Sequence, residues 1–407
     1  MASLIGEAAP VGAWSGRGPH PLAGRTILQI VPHLEIGGAE SATLEIAEAL
    51  ANVGARALVA CDGGRLVPEL QAKGGLWLPF PAQTRNPLAM VLNQAKLADL
   101  IWRERVAVIH AHSRAPAWVA YGATRRTRTP FVTTFHGVYS GTGAFKRNYN
   151  AVMAKGDIVI ANSAFTGQHI AAVYPDAVAR TRIIERGIDL RAFDPGAVEW
   201  SRVLNLRRAW NVAINDRVVL LPAQFLARKG QLVLIEAARL LTAAGLTGVR
   251  FILAGEDGPA GTIKEIDAAI AKAGLADVVK RTGPCEDMPA ALLAASVVAV
   301  PSTQPEAFGR VAAEAQAMGT PAVVSDLGAL AEIVAAPPEV DLGARTGWRV
   351  PPGDARALAA ALYDVLTLGA SARESLSIRA RARVLSRFSI TRMQAETLAA
   401  YAQLLGS

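Results

Sequence analysis

Glu306 and Glu314 bracket the segment Glu306-Ala307-Phe308-Gly309-Arg310-Val311-Ala312-Ala313-Glu314, and two carboxylates so spaced suit the hydroxyls of a sugar. The segment follows an apolar run, Val297–Val300, and a Pro301-Ser302-Thr303 loop, while Gly309 to Met318 has helical composition. Glu306 is therefore expected just past the carboxyl end of a strand, with Phe308, Gly309, Arg310 and Val311 around the start of a helix. Glu314 falls one to two turns into that helix. Ligands of open α/β sheets bind outside the carboxyl ends of the strands. A helix start adds free N–H donors and a positive dipole end, both suited to phosphate. One carboxylate for sugar hydroxyls and one for a ribose diol, beside phosphate-binding amides, is the chemistry of a nucleotide sugar. The same spacing also fits a surface glutamate in a loop and a helical glutamate paired with an arginine.

Other candidates sit at similar places. Arg228 and Lys229 follow the run Arg217–Ala223 and a short loop, where a cation would neutralise a diphosphate leaving group as charge builds on it. As residue types alone they also read as a solvated basic pair. Gly37 and Gly38 join the first strand to the first helix, and lacking a Cβ they let backbone amides approach a ligand; a tight turn without a ligand is the alternative. His136 closes the run Phe131–Phe135, and a lone histidine there also reads as a packed, hydrogen-bonded residue. His33, His110 and His112 lie near strand ends without metal-site spacing. No G-x-G-x-x-G follows a strand, which counts against a nicotinamide or flavin cofactor.

The elements that must position these residues alternate regularly. Short apolar runs at Thr26–Val31, Ala57–Cys61, Val106–Ala111, Phe131–Phe135 and Ile158–Ala161 precede helix-period stretches at Glu40–Asn52, Pro87–Arg103, Ala115–Arg125 and Ser163–Tyr174. A second series runs through Arg217–Ala223, Arg250–Ala254, Val278–Arg281, Val297–Val300 and Ala322–Ser325. Strands apolar throughout and separated by helices predict parallel sheets covered on both faces, hence two Rossmann-like lobes. The Gly- and Pro-marked stretch from Arg186 to Gly196 reads as the link. The expected organisation is a flexible tail over 1–24, a first domain over 25–195, a second over 196–388, and a terminal helix over 389–407 that packs back on the first lobe.

Composition bounds the function further. The 407 residues are 51% hydrophobic and 19% charged, enough for two cores. The net charge of +8 favours an acidic partner, but the basic residues are scattered and no nucleic-acid-binding motif is present. Basic groups such as Arg125-Arg126-Thr127-Arg128 and Lys146-Arg147 suit either lipid phosphates or a solvated face. Two cysteines without CxxC spacing, Cys61 and Cys285, fit a reducing cytosol, and no signal peptide or membrane-spanning run is expected.

Taken together and in order, the motifs resemble glycosyltransferase family 4. The resemblance rests on Val31-Pro32-His33 through Gly37-Gly38-Ala39-Glu40, Thr134-Phe135-His136-Gly137, Ile160-Ala161-Asn162-Ser163, Arg186-Gly187-Ile188-Asp189 and Arg228-Lys229-Gly230. It continues through Pro305–Gly319 and Gly347–Asp354, and spans nearly the whole chain from about residue 25. It implies a GT-B fold, two Rossmann-like lobes whose parallel sheets face across a cleft, and a retaining transfer without a metal or other cofactor. By the same resemblance the donor, a nucleotide-diphosphate sugar, lies against the second lobe, where Glu306 takes sugar hydroxyls, Glu314 the ribose, and Lys229 the diphosphate. His136 lies beside the donor sugar, and Gly283-Pro284-Cys285 cradles the base. Many relatives carry an arginine where this chain has Gln224, so Arg228 is expected to supply the missing cation. A subgroup of bacterial lipopolysaccharide and surface-polysaccharide enzymes is the nearest likeness, implying a glycan or lipid-linked acceptor and a cytoplasmic protein, peripheral at the inner membrane face. The rivals are another GT-B enzyme, such as an epimerase, and a non-catalytic homologue that binds nucleotide sugars.

Overall fold

The computed structural model describes residues 18–35, 37–84, 86–139 and 143–406. Residues 1–17 of the expected tail, and 140–142 of the loop from Tyr139 to Lys146, lie outside it. Among the described residues, thirteen strands form two all-parallel sheets. The first contains β1 Thr26–Ile30, β2 Arg56–Cys61, β3 Leu76–Pro79, β4 Val106–Ala111, β5 Phe131–Phe135, β6 Ile158–Ala161 and β7 Thr181–Ile183. The second contains β8 Arg217–Pro222, β9 Val249–Ala254, β10 Val279–Thr282, β11 Val297–Val300, β12 Ala322–Ser325 and β13 Trp348–Val350. Each parallel crossover is long enough to carry a helix, which covers a sheet face.

Covering both faces explains why these strands are apolar at successive positions rather than at alternate ones. Val218 and Leu220 point into one cluster of the second sheet, with Val298 and Ala313. Their neighbours Val219 and Leu221 point into the other, with Leu234 and Phe251. In the first sheet Leu28 and Ile30 face one side and Ile27 and Val31 the other. Leu22, inside the stretch read as a flexible tail, is fully buried among the latter group, so the ordered chain begins before Arg25. Without strand period or helix period, a single apolar residue beside a turn gives no signal of burial.

The strand order is 3-2-1-4-5-6-7 in the first sheet and 10-9-8-11-12-13 in the second. Both reverse direction once, between β1 and β4 and between β8 and β11. A reversal leaves a crevice at the carboxyl ends of those two strands, because the flanking crossovers run to opposite faces.

The chain forms two compact units. One comprises the chain up to Gly187 together with the segment from Ile390 onward; the other is Ile188–Ser389. The helix Ile390–Leu404 belongs to the first unit. Its Met393, Leu398 and Tyr401 join Leu44 and Leu50 of the helix Gly38–Asn52, and Gln394 Nε2 donates to the Glu45 carbonyl at 2.8 Å. The sequence-based expectation of a last helix packing on the first lobe is met.

Candidate functional site

In the second unit, the loops leaving β8 and β11 converge. After β8 the chain makes a short turn, Ala227–Lys229, and enters the helix Gln231–Ala243 through Gly230 at φ +76°. A Cβ on Gly230 would lie 1.9 Å from the Pro301 carbonyl oxygen, so only glycine allows the turn to approach the loop after β11 this closely. The Thr303 N–H donates to the Arg228 carbonyl at 2.9 Å, tying the two loops together. Lys229 is thereby carried to Glu306, with Nζ 2.7 Å from Oε1. The buried Ser302 hydroxyl reaches the same oxygen at 2.5 Å.

Glu306 is held from behind as well. Ala329 N–H donates to its carbonyl at 2.9 Å, and Gly328, at φ +63°, pairs with it in a parallel bridge. Lys229, Ser302, Glu306 and Val311, with Ala223 and Val300, line a cavity of about 20 Å³. A pair this enclosed is poorly screened by solvent, so its charges interact more strongly than an exposed pair would.

The helix carrying Glu314 runs Arg310–Ala317 and starts from Gly309 at φ +90°, with no side chain capping it. Glu314 is almost wholly buried and takes Arg310 Nε at 2.6 Å, so the i,i+4 pairing with an arginine, one of the two readings of the sequence, is present. The Phe308 ring packs edge-on against Phe388 in the core, which leaves main-chain groups as what residues 308–309 offer a ligand. Arg228 and Gln224 are exposed, and their side chains have no hydrogen-bond partner among the described residues. Gln224 contributes its carbonyl to Gln231 Nε2 at 3.0 Å. Cys285 lies beyond β10, partly packed on the core, where burial pushes its thiol pKa up and keeps it protonated at neutral pH.

In the first unit, Gly37 precedes the helix Gly38–Asn52 with an extended backbone, φ 177°, which any residue can adopt. A Cβ on Gly38 would meet nothing within 4 Å. Neither glycine sits in the left-handed region, so the backbone conformation by itself does not demand glycine at either position.

His136, half-buried after β5, closes a file of polar side chains behind the sheet's reversal point. Its Nε2 lies 2.9 Å from His112 Nδ1; His112 Nε2 lies 2.9 Å from Gln29 Oε1. Gln29 Nε2 in turn donates to the Thr43 carbonyl at 3.0 Å. Beside this file His110 joins Tyr401 OH at 2.6 Å and Thr134 Oγ1 at 2.7 Å. Burial holds all three imidazoles below their ordinary pKa, His112 to about 3, and the Arg186 cation adds to this at His112 and His136. They are neutral at pH 7.

Gln29, Ser302 and Tyr401 were not singled out from the sequence, and His112 was given no role. The available signals were a glutamine set between apolar residues in the run Ile27–Ile30, and two histidines two residues apart at a strand end, which share one face.

The first unit also holds a cavity of about 940 Å³, lined by Arg114, Trp118, Met90, Val91, Lys146 and Tyr149 among others. Arg114 is set by Asn150 Oδ1 at 2.9 Å and lies over the Tyr139 ring, 4.6 Å from its centroid. Among the described residues, no group of three or more His, Cys, Asp or Glu is arranged to hold a metal ion, and no helix is long and apolar enough to cross a membrane.

Residues 36–192 match the Glycosyltransferase Family 4 profile and residues 216–367 that of Glycosyl transferases group 1. A glycosyltransferase of Rickettsia africae superimposes with a TM-score of 0.85 at 30% identity, covering 94% of this chain and 99% of that one. The Anabaena protein HepE, in complex with UDP-glucose, superimposes at 0.77 with 26% identity over 92% of this chain and 98% of its own. The D-inositol 3-phosphate glycosyltransferase 1 of Catenulispora acidiphila is 32% identical over 250 residues, 56% of this chain. The match spans 58% of the length of that relative.

Proposed function

The chain belongs to glycosyltransferase family 4, and from that premise we propose that it transfers a sugar, with retention, from a nucleotide-diphosphate sugar to a glycan or lipid-linked acceptor. The observation that carries this is the cluster of Lys229, Glu306 and Ser302 at the reversal point of the second sheet. In the reading, the diphosphate draws Lys229 toward itself, and Glu306, released from the ammonium, turns its oxygens to donor-sugar hydroxyls. Arg228, exposed one residue away, adds the charge that Gln224 does not bring. Charge building on the departing diphosphate is met by these two cations, an electrostatic stabilisation that lowers the barrier of such a transfer. The acceptor hydroxyl attacks on the face the nucleotide leaves, and a departing phosphate oxygen takes its proton. No metal enters the scheme. Glu314 holds the ribose, the loop at Cys285 the base through main-chain groups, and His136 the donor sugar.

The UDP-glucose complex of HepE supports testing a UDP-sugar first. The acceptor is assigned to the first unit's cavity, whose Met90, Val91 and Trp118 suit an apolar portion and whose Arg114 and Lys146 suit a phosphate. A net charge of +8 supports attachment to an anionic cytoplasmic membrane face.

Nucleotide release from UDP-, GDP- and ADP-sugars, with lipid-linked and inositol-phosphate acceptors compared, tests the reading; NMR of the product's anomeric proton tests retention. Release of nucleotide with a new glycosidic bond is expected. An epimerase would return an isomerised donor and no bond. One observation favours a non-catalytic binder, the uncharged Gln224, and such a protein would bind nucleotide diphosphate in calorimetry yet release none from any donor.

A further inference from the structure

The side chains behind His136 fix which of its nitrogens carries the hydrogen. The Thr43 carbonyl only accepts, so Gln29, 3.0 Å away, must turn its NH2 toward it. Rotating that amide by half a turn would set two acceptors against each other. Gln29 Oε1 therefore faces His112 Nε2, and an amide oxygen also only accepts, so Nε2 of His112 carries the hydrogen. A neutral imidazole has one N–H, which leaves His112 Nδ1 as an acceptor. His136 Nε2, 2.9 Å from it, must then donate. The other nitrogen of His136, Nδ1, keeps its lone pair and has no hydrogen-bond partner among the described residues.

We propose that Gln29 and His112 are positioning residues that lock His136 in the Nε2–H form, so that its Nδ1 serves as an acceptor for a hydroxyl hydrogen of the bound sugar. The identity of the occupant rests on the transferase reading; the tautomer does not. The anchor is a helix main chain, the Thr43 carbonyl, which no side-chain motion can invert. Burial supplies the second requirement, since it keeps both imidazoles neutral. A bare nitrogen welcomes a hydroxyl and repels a phosphate oxygen. The contact therefore selects for the sugar portion of a donor over its diphosphate.

Two-bond proton–nitrogen spectra of the full chain, labelled with 15N-histidine at neutral pH, read the tautomers directly; loss of signals in His136→Gln and His112→Gln assigns them. Both histidines are expected in the Nε2–H form. Hydrogen on Nδ1 of His136, or a doubly protonated ring, overturns the proposal. In Gln29→Leu the lock is gone, so His136 should show a mixture of tautomers and kcat/KM for transfer should fall about 3- to 10-fold, the worth of one hydrogen bond. Unchanged transfer in a folded Gln29→Leu chain overturns the positioning role. If that variant does not fold, the wild-type spectrum still decides the tautomer. If the wild-type chain turns over no nucleotide sugar, the transferase reading fails while the spectrum continues to judge the lock.

Discussion

Lys229 and Arg228 are neighbours in sequence but different in situation. The lysine is enclosed and paired with Glu306, whereas the arginine is exposed and unengaged. Lys229→Ala leaves the half-buried Glu306 without its counter-charge, so we expect a loss of about 2 kcal/mol in stability, read from urea unfolding, and loss of transfer. Arg228→Ala should leave stability within about 0.5 kcal/mol and lower kcat, if it supplies the charge Gln224 lacks. A second expectation concerns acid. His112 has a folded pKa below its unfolded value of 6.5, so the unfolded chain gains protons first as the pH falls. Its contribution is fully present above pH 6.5 and is lost progressively toward pH 3. At pH 5 the loss from this residue is about 2 kcal/mol. Urea midpoints at pH 8 and pH 5 should differ less in His112→Gln than in the wild type. The residues of this scale were only partly legible in the sequence. Glu306 and Lys229 were found through motif order, but Ser302 and Gln29 are common polar types whose importance comes from partners 4 and 83 residues away.

At the scale of elements, glycines separate into two kinds. Gly230 is held at positive φ against a carbonyl oxygen, and Gly230→Ala should cost about 2 kcal/mol or more from strain and forced separation of the two loops, with transfer reduced in parallel. Gly38 begins a helix in open space. Gly38→Ala should therefore keep or slightly raise the melting temperature, by a helix-propensity gain of about 0.5–1 kcal/mol, yet impair transfer if a ligand passes over that backbone. A melting temperature lowered by Gly38→Ala would mean that the glycine serves packing instead. Most strands and long helices were evident in the sequence because β-branched runs and helix period are local signals. The strand Leu76–Pro79 lacks them: its burial is partial and its pattern short. The short helix Leu330–Ile333 is composed of good helix formers and follows Gly328, whose backbone bridges to Glu306.

For the whole molecule, two parallel sheets were legible, because alternation of apolar runs and helices admits few other topologies, while the strand order with its one reversal in each sheet comes from the structure. If the nucleotide is held by the second unit, UDP at a hundred times its dissociation constant should stabilise the native chain by about 2.7 kcal/mol. Calorimetric scans with and without UDP check this, and Lys229→Ala should abolish the shift. One further point follows from the course of the chain. The polypeptide leaves the first unit at Gly187 and re-enters it at Ile390, so one unit is encoded as an insertion within the other. During synthesis the inserted unit has its whole sequence available before Tyr401 emerges to meet His110. The part begun first is thus the part completed last, and His110, bonded to Thr134 on one side, gains its second partner only when the final helix docks.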